Sequence, residues 1–222
     1  MGRHKKIRGL YLSHRIFQSY PYKFVGALIY GQRGIGKTSL ALNVAWEVFR
    51  MAGHDEKESW DLALNSCKFT MDDVLETIEG HARAKDKARI LIWDDVGVHA
   101  SNMEWWDNRD LLKRLKAVTD MIRTGVCGLI LTTPSQGGIL KFLREYDDYI
   151  VDIGYCEESR YRLAKGYIRR TLPSGTLRIY PKFKNKYRVM LPDWVFEKYN
   201  ESRLDIFLSE LDRLKKAGKK PS

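Results

Sequence analysis

The sequence has few of the features that are typical of secreted, zinc-binding or membrane-spanning chains. Its three cysteines, Cys67, Cys127 and Cys156, lie far apart and form no CxxC pair, so neither a disulfide framework nor a zinc site is predicted. No apolar run reaches the roughly 20 residues of a membrane span. The basic N-terminus lacks the following apolar stretch of about 7–15 residues that a signal peptide needs. We therefore expect a cytoplasmic chain with no membrane partner.

Acidic residues are missing from two stretches of the chain. Residues 1–23 contain no Asp or Glu, and neither do residues 159–192, although the second stretch holds ten Lys and Arg. The whole chain of 222 residues carries a formal net charge of +11. A basic surface of this kind most often meets nucleic acid, and the alternative is a solvated face without a partner.

Apolar strands alternate with amphipathic helices through the middle of the chain. Four apolar runs predict buried strands, at 24–30, 89–93, 129–133 and 149–153. Helical periodicity lies between or beside them, at 37–52, 70–80, 111–122 and 139–143. Repeated strand–helix–strand units build a parallel sheet covered on both faces. The sequence therefore predicts a doubly wound α/β domain.

The pattern changes after Ser159. Short segments rich in β-branched and aromatic residues, at 161–170, 177–183 and 187–191, are separated by turn-like stretches and predict a small antiparallel β-meander. A terminal helix follows, with apolar positions at Leu204, Phe207, Leu208, Leu211 and Leu214. We divide the chain into a basic N-terminal arm (1–23), a core (24–156) and a basic β-meander with a C-terminal helix (157–222).

A glycine-rich stretch between the first strand and the first core helix fits the pattern GxxxxGK[ST] at Gly31–Thr38. Its glycines allow successive N–H groups to point inward as an anion nest, to which the helix N-terminus adds partial positive charge. Lys37 would reach the β- and γ-phosphates, and Thr38 would offer its hydroxyl to Mg²⁺. The stretch predicts an ATP and Mg²⁺ site formed by Gly31, Gln32, Arg33, Gly34, Ile35, Gly36, Lys37, Thr38 and Ser39.

Polar residues end the next two strands of the core. Asp94 and Asp95 follow a buried strand, where a carboxylate is costly without a metal or a hydrogen-bonding task. Asp94 would hold Mg²⁺ and Asp95 would polarise the attacking water; the alternative is that both cap the loop. Thr133 is the candidate γ-phosphate sensor, although Thr132 is an open alternative and an ordinary strand-end turn another.

Together the motifs Gly31–Thr38, Ile90–Gly97 and Leu129–Ser135 resemble the AAA+ class of P-loop NTPases. Within it, the Asp-Asp-Val-Gly element resembles the DnaA/DnaC/IstB group of initiators, helicase loaders and transposition helper ATPases. The resemblance implies an ASCE/AAA+-like parallel-sheet core, assembly into a homo-oligomer, and a helicase or transposase partner. It also implies an arginine that reaches a neighbouring subunit's site, at the place of Arg144; a plain surface arginine is the alternative.

The C-terminal part departs from that group, in which a helical lid is expected. A sheet after the core instead resembles the HerA/FtsK translocating and packaging ATPases. Both resemblances therefore enter the functional hypothesis. It is a Mg²⁺- and ATP-dependent ATPase acting on DNA in replication initiation, helicase loading or transposition. The alternatives are a DNA-translocating or packaging ATPase, and an ATP-dependent binding switch with negligible turnover.

Basic and aromatic residues are interleaved in the predicted meander. Lys and Arg neutralise phosphates, and aromatic rings can stack on unpaired bases. Tyr161, Tyr167, Tyr180, Phe183 and Tyr187 are the aromatic positions. The candidate nucleic-acid contacts are Arg162, Arg169, Arg170, Arg178, Lys182, Lys184, Lys186 and Arg188.

Overall fold

A computed structural model describes residues 9–96, 122–135 and 149–217. The strands are β1 (Val25–Tyr30), β2 (Cys67–Lys68), β3 (Leu91–Trp93), β4 (Gly128–Thr133), β5 (Tyr149–Tyr155), β6 (Tyr161–Thr171) and β7 (Leu177–Arg188). The helices are α1 (Tyr11–Ser19), α2 (Lys37–Met51), α3 (Glu56–Asn65), α4 (Met71–Arg83) and α5 (Asp193–Ala217), with a 3₁₀ turn at Ile122–Thr124. The predicted helix at 139–143 and most of the one at 111–122 lie outside the described residues.

The strands form one seven-stranded sheet in the order β2-β3-β4-β1-β5-β6-β7. Strands β1 to β5 are parallel, as the strand–helix alternation predicted. Strand β6 runs antiparallel to β5, and β7 runs antiparallel to β6. The α/β class and the parallel core are thus confirmed, and the C-terminal strands are direct continuations of the core sheet.

Helices cover both faces of the parallel part of this sheet. Val74 and Ile78 of α4 pack with Leu129 and Leu131 of β4 in one buried cluster. Gly128 directly precedes Leu129 in β4 and therefore faces the other side of the sheet. There the fully buried Ile16 of α1 lies against it. Side chains on successive strand positions point to opposite faces, so this one strand joins two apolar layers.

Helix α2 forms where the periodicity predicted it. The positions expected to face the core are all buried: Leu40, Ala41, Val44, Ala45, Val48 and Phe49. Trp46 of the same helix stacks on Trp60 of α3 with ring centroids 5.3 Å apart. The sequence reasoning missed α3 altogether, although Asp55 is an N-cap whose side chain accepts a hydrogen bond from the Glu58 N–H.

Two further predictions about elements were wrong. The stretch 184–186 is not a turn, because Lys184, Asn185 and Lys186 pair in register with Lys165, Ala164 and Leu163 of β6. Pairing with a neighbouring strand here outweighs the turn propensity of the local residues. Helix α4 begins at its Thr70 cap as predicted, but it continues past Gly80 to Arg83.

The basic N-terminal arm contains a docked helix. Leu12 and Ile16 of α1 are buried, and the Leu10 N–H donates to the carboxylate of Glu47 at 2.7 Å. Tyr11 stacks on Phe183 of β7 with ring centroids 4.7 Å apart. Residues 1–8 of the arm lie outside the described residues.

The chain divides into two compact units, residues 1–190 and 191–222. The boundary predicted at residue 157 falls inside the first unit, between the hydrogen-bonded strands β5 and β6. The second unit contains α5, which confirms the terminal helix; Leu204, Phe207 and Leu208 on it are at least half exposed. No helix among the described residues is both long and apolar enough to cross a membrane.

Candidate nucleotide-binding site

The phosphate loop joins the end of β1 to the start of α2. Gly31, Gly34 and Gly36 all have positive φ, at 153°, 75° and 103°. This backbone conformation is readily open to glycine and curls the loop so that its N–H groups can face an anion. Gly36 is also the N-cap of α2 and provides no side-chain cap for the first turn. The loop therefore has the form that a polyphosphate requires.

Lys37 lies along this loop rather than out in solvent. Its side chain is 6% exposed, and its Nζ donates to the carbonyl oxygens of Gly31 and Gln32, each at 3.1 Å. The ammonium group is thus held at the concave side of the loop. Gln32, Arg33 and Gly34 form the exposed tip, while Ile35 is buried.

Asp94 is the central carboxylate of the site. It directly follows β3 with only 1% of its surface exposed, and it accepts hydrogen bonds from the Thr38 hydroxyl at 2.9 and 3.1 Å. The Thr132 hydroxyl donates to it as well. The structure therefore brings together the two residues predicted as metal ligands, from α2 and from β3.

The donor set around Asp94 fits Mg²⁺. This ion prefers hard oxygen ligands and commonly takes one or two protein groups together with substrate phosphates and water. Thr38 and Asp94 supply a hydroxyl and a carboxylate beside the loop. When bound there, Mg²⁺ would neutralise phosphate charge and hold the triphosphate in place.

Asp95 has a backbone conformation that is unusual for a residue with a side chain. Its φ is 49°, and such conformations persist at functional sites when the surroundings enforce them. The Asp95 N–H donates to the Thr132 hydroxyl oxygen at 2.9 Å. The backbone therefore leaves the strand direction at the half-buried Asp95, directly after Asp94.

The two threonines at the end of β4 have different contacts. Thr132 bonds to both members of the acidic pair, while the Thr133 hydroxyl donates to the carbonyl oxygen of Ser135 at 2.9 Å. Thr133, the residue favoured as sensor from the sequence, is buried next to Tyr30 at the start of the loop. The contact of Thr132 was missed, although aligning the polar ends of the two predicted strands would have indicated it. Arg144 lies outside the described residues.

The end of β7 closes the other side of the loop, which the sequence did not predict. The Tyr187 hydroxyl donates to the Gly36 carbonyl oxygen at 2.9 Å. Burial raises the pKa of Tyr187 above its usual value. Asn43 of α2 donates to the Ser39 carbonyl at 2.7 Å and, at 3.4 Å, to the carbonyl of Arg188.

Replacing Gly36 with alanine is expected to destabilise the protein by about 2–5 kcal/mol, combining the left-handed backbone with overpacking. A Cβ at this position would lie 2.4 Å from a methyl carbon of Val189. Gly34→Ala is the matched control, because φ there is 75° but a Cβ would meet nothing within 4 Å. Urea unfolding of both variants measures the difference, and equal destabilisation would contradict the close packing of Val189 on the loop.

The candidate nucleic-acid residues do not share one face of the β6–β7 hairpin. Lys165 and Lys184 are directly opposite each other on one face. Arg170 lies five positions further along β6 and therefore on the other face, where a register shift at Gly166/Tyr167 places Arg178 opposite it. All four are exposed. The half-buried Arg162 instead donates to the carbonyls of Ser159 and Tyr161.

Some aromatic residues of the hairpin are also committed to internal contacts. Phe183 stacks on Tyr11, and Tyr187 is only 4% exposed. These two rings therefore have contacts within the fold, and stacking of the hairpin aromatics on bases stays a prediction. Tyr180, which is 36% exposed, is accessible on the hairpin.

Comparison with known proteins identifies one relative along most of the chain. "Uncharacterized protein B-251" of Sulfolobus spindle-shape virus 1 is 30% identical over 217 residues, covering 92% of this chain and 85% of the relative. The chain belongs to the B-251 family. No model of a described protein family matches it.

Solved structures similar to this B-251 family member are distant. The genome packaging NTPase B204 from Sulfolobus turreted icosahedral virus 2 has a TM-score of 0.40 at 13% identity, over 73% of this chain and 98% of its own. A KaiC-like protein from Pyrococcus horikoshii OT3 has a TM-score of 0.37 at 18% identity, over 71% and 89%. The assignment of a P-loop NTPase core rests on the strand order and loop geometry of this B-251 family chain itself.

Proposed function

We propose that this chain is a Mg²⁺-dependent ATPase that acts on DNA. The observation that carries the enzymatic part is the buried contact between Thr38 and Asp94, at 2.9 Å, beside the phosphate loop. A loop that only bound an anion would need neither a buried carboxylate next to its threonine nor a second acid after it. The acidic pair is what hydrolysis of a Mg²⁺-bound triphosphate requires.

Each group at the site has a chemical role in this proposal. Lys37 and the loop N–H groups bind the β- and γ-phosphates and neutralise charge that develops as the γ-phosphoryl group leaves ADP. Thr38 and Asp94 hold Mg²⁺. Asp95 orients the attacking water and accepts its proton, so that the products are ADP and inorganic phosphate. Thr132 keeps both acids in position through its two hydrogen bonds.

The hairpin supports DNA as the polyanion. Lys184, Lys186 and Arg188 alternate along β7 and are all exposed, and Lys165 lies opposite Lys184. Lys186 also forms an ion pair with Glu158. A row of cations at this spacing can neutralise successive phosphates of a strand. We define these four residues as the basic face.

Among DNA-dependent ATPases, the topology favours a translocating or packaging enzyme. Strands β6 and β7 extend the core sheet directly beyond β5, as the resemblance to the HerA/FtsK enzymes implies. The second candidate is a loader or initiator of the DnaA/DnaC/IstB kind in replication or transposition, which the Asp-Asp-Val-Gly element favours. The resemblance to the second group implies a homo-oligomer in which Arg144 would reach a neighbouring subunit's site.

ATP hydrolysis measured with and without single- and double-stranded DNA tests the DNA-directed function. We expect DNA to raise the rate of phosphate release, and we expect the stimulation to fade as salt rises, because phosphate contacts release counterions. Absence of stimulation by either form of DNA at low salt would rule out this function.

The double variant Lys165→Glu/Lys184→Glu is expected to lose most of the stimulation, expressed relative to its own rate without DNA. If both lysines contact phosphates, the slope of log affinity for DNA against log salt becomes shallower by about 2. The control Arg170→Glu/Arg178→Glu makes the same charge change at a directly opposed pair on the other face of the hairpin. Equal losses in both variants would contradict the assignment to the basic face.

A further inference from the structure

The last residues of β7 contact the phosphate loop at Gly36, the residue that directly precedes Lys37. The Gly36 carbonyl oxygen accepts two hydrogen bonds, from the Leu40 N–H at 3.0 Å and from the Tyr187 hydroxyl at 2.9 Å. The first belongs to the opening turn of α2, and the second ties the same atom to a distant strand. Gly36 directly precedes Lys37, so any shift of this peptide is passed to the phosphate-binding lysine.

Arg188, at the end of β7, and Val189, which directly follows it, reinforce this contact. Val189 packs so closely on Gly36 that it leaves no space for a Cβ. The backbone carbonyl of Arg188 accepts a long hydrogen bond from Asn43, which also bonds to Ser39 in the first turn of α2. Three consecutive residues of the chain therefore contact the loop and the helix that follows it.

The same stretch of strand presents its other side to solvent. Lys186 and Arg188 flank Tyr187 and are exposed, while Tyr187 itself is buried against the loop. Alternate residues of an extended strand point to opposite faces, so the same segment directs its cations to solvent and the tyrosine hydroxyl to the loop. Pairing with β6 up to Arg188 and the hydrogen bond from the Val189 N–H to the Arg160 carbonyl oxygen hold this segment against β6.

We propose that Tyr187 is a positioning residue that couples β7 to the phosphate loop, so that nucleotide at the loop and polyanion on the basic face alter each other's binding. The effect of a polyanion on nucleotide binding rests on the proposed function. The coupling between bound nucleotide and β7 does not. Because burial raises the pKa of Tyr187, the hydroxyl stays protonated and remains a donor near neutral pH. Coupling between two sites is reciprocal, so the factor is the same whichever ligand is added first.

Hydrogen exchange of the full chain tests the coupling without DNA. In the wild type, saturating ATP with Mg²⁺ is expected to slow exchange of the β7 amides by about five-fold or more. Tyr187→Phe keeps the buried ring and removes only the donated hydrogen bond, so ATP should slow these amides less than about two-fold although it still binds. Tyr180→Phe, the same change on the same strand at a site away from the loop, should behave as the wild type.

The outcomes separate this proposal from the function on which half of it rests. Protection of β7 by ATP that persists in Tyr187→Phe, or that is missing in the wild type, overturns the coupling. If Tyr187→Phe does not fold, the wild-type measurement still decides the coupling, because missing protection of β7 by ATP overturns it without any variant.

ATP affinity with and without a short single-stranded oligonucleotide then tests the polyanion half. In the wild type we expect the oligonucleotide to change the ATP dissociation constant by about five-fold, and by less than about two-fold in Tyr187→Phe. If β7 is protected by ATP but the oligonucleotide does not bind, the DNA-directed function fails while the coupling of the strand to the loop stands.

Discussion

Lys37→Ala is expected to weaken ATP binding by at least about 100-fold and to abolish measurable hydrolysis, because each hydrogen bond to a charged group contributes about 1.5–3 kcal/mol. The lysine is 6% exposed and already lies within the loop, bonded to the carbonyls of Gly31 and Gln32. Its removal therefore takes away a preorganised cation that the loop N–H groups cannot replace. Titration with a fluorescent ATP analogue and a phosphate-release assay measure the two effects.

The control for this variant is Lys57→Ala. Lys57 lies on α3 with 80% of its side chain exposed and pairs with the neighbouring Asp61, so binding and turnover should not change. Thermal unfolding of both variants separates loss of the site from loss of the fold. Binding by Lys37→Ala within a few-fold of the wild type would mean that the loop does not hold a triphosphate.

Asp95→Asn is expected to lower the turnover of bound ATP by about 100- to 10,000-fold, the range that a positioned general base contributes, while ATP affinity changes little. Asparagine has nearly the same shape and tolerates the left-handed φ of 49° at this position about as well as aspartate does. The substitution therefore removes a proton acceptor without straining the loop. Single-turnover hydrolysis, together with nucleotide titration, separates the chemical step from binding.

Asp94→Asn provides the contrast. It alters the buried carboxylate that accepts from Thr38 and Thr132, so Mg²⁺-dependent affinity should fall along with the rate. Normal single-turnover hydrolysis by Asp95→Asn would show that another group activates the water. Loss of binding in Asp95→Asn equal to that in Asp94→Asn would instead assign Asp95 to the metal.

The parts of the site that the sequence predicted are local. The residues from Gly31 to Thr38 are contiguous, and the physical demands of the loop can be read from spacing alone, since the strand, the glycines and the helix follow one another. The acidic pair was predicted for a similar reason, because a carboxylate at the end of a buried strand is costly without a task.

The parts that the sequence did not predict depend on the packing of distant segments. Thr132 reaches Asp94 only because β3 and β4 pair with Trp93 opposite Leu131. Tyr187 reaches Gly36 across 151 positions of the chain, and nothing near Tyr187 in the sequence distinguishes it from the other tyrosines of the hairpin. The continuity of β7 through Lys184–Lys186 likewise follows from its pairing with β6 rather than from its own composition.

The lysines of β7 also protect an edge strand of the sheet against pairing with other chains. Among the described residues β7 is the outermost strand of the sheet on its side, and it is 12 residues long. A long edge strand exposes unpaired backbone N–H and C=O groups, to which strands of other chains can pair and form aggregates. The lysines, Pro181 within the strand and the irregularity beside Gly166 are devices that discourage such growth. Replacing the lysines with neutral residues would therefore lower solubility, whereas replacing them with acidic residues keeps charges on the edge strand that oppose pairing with other chains.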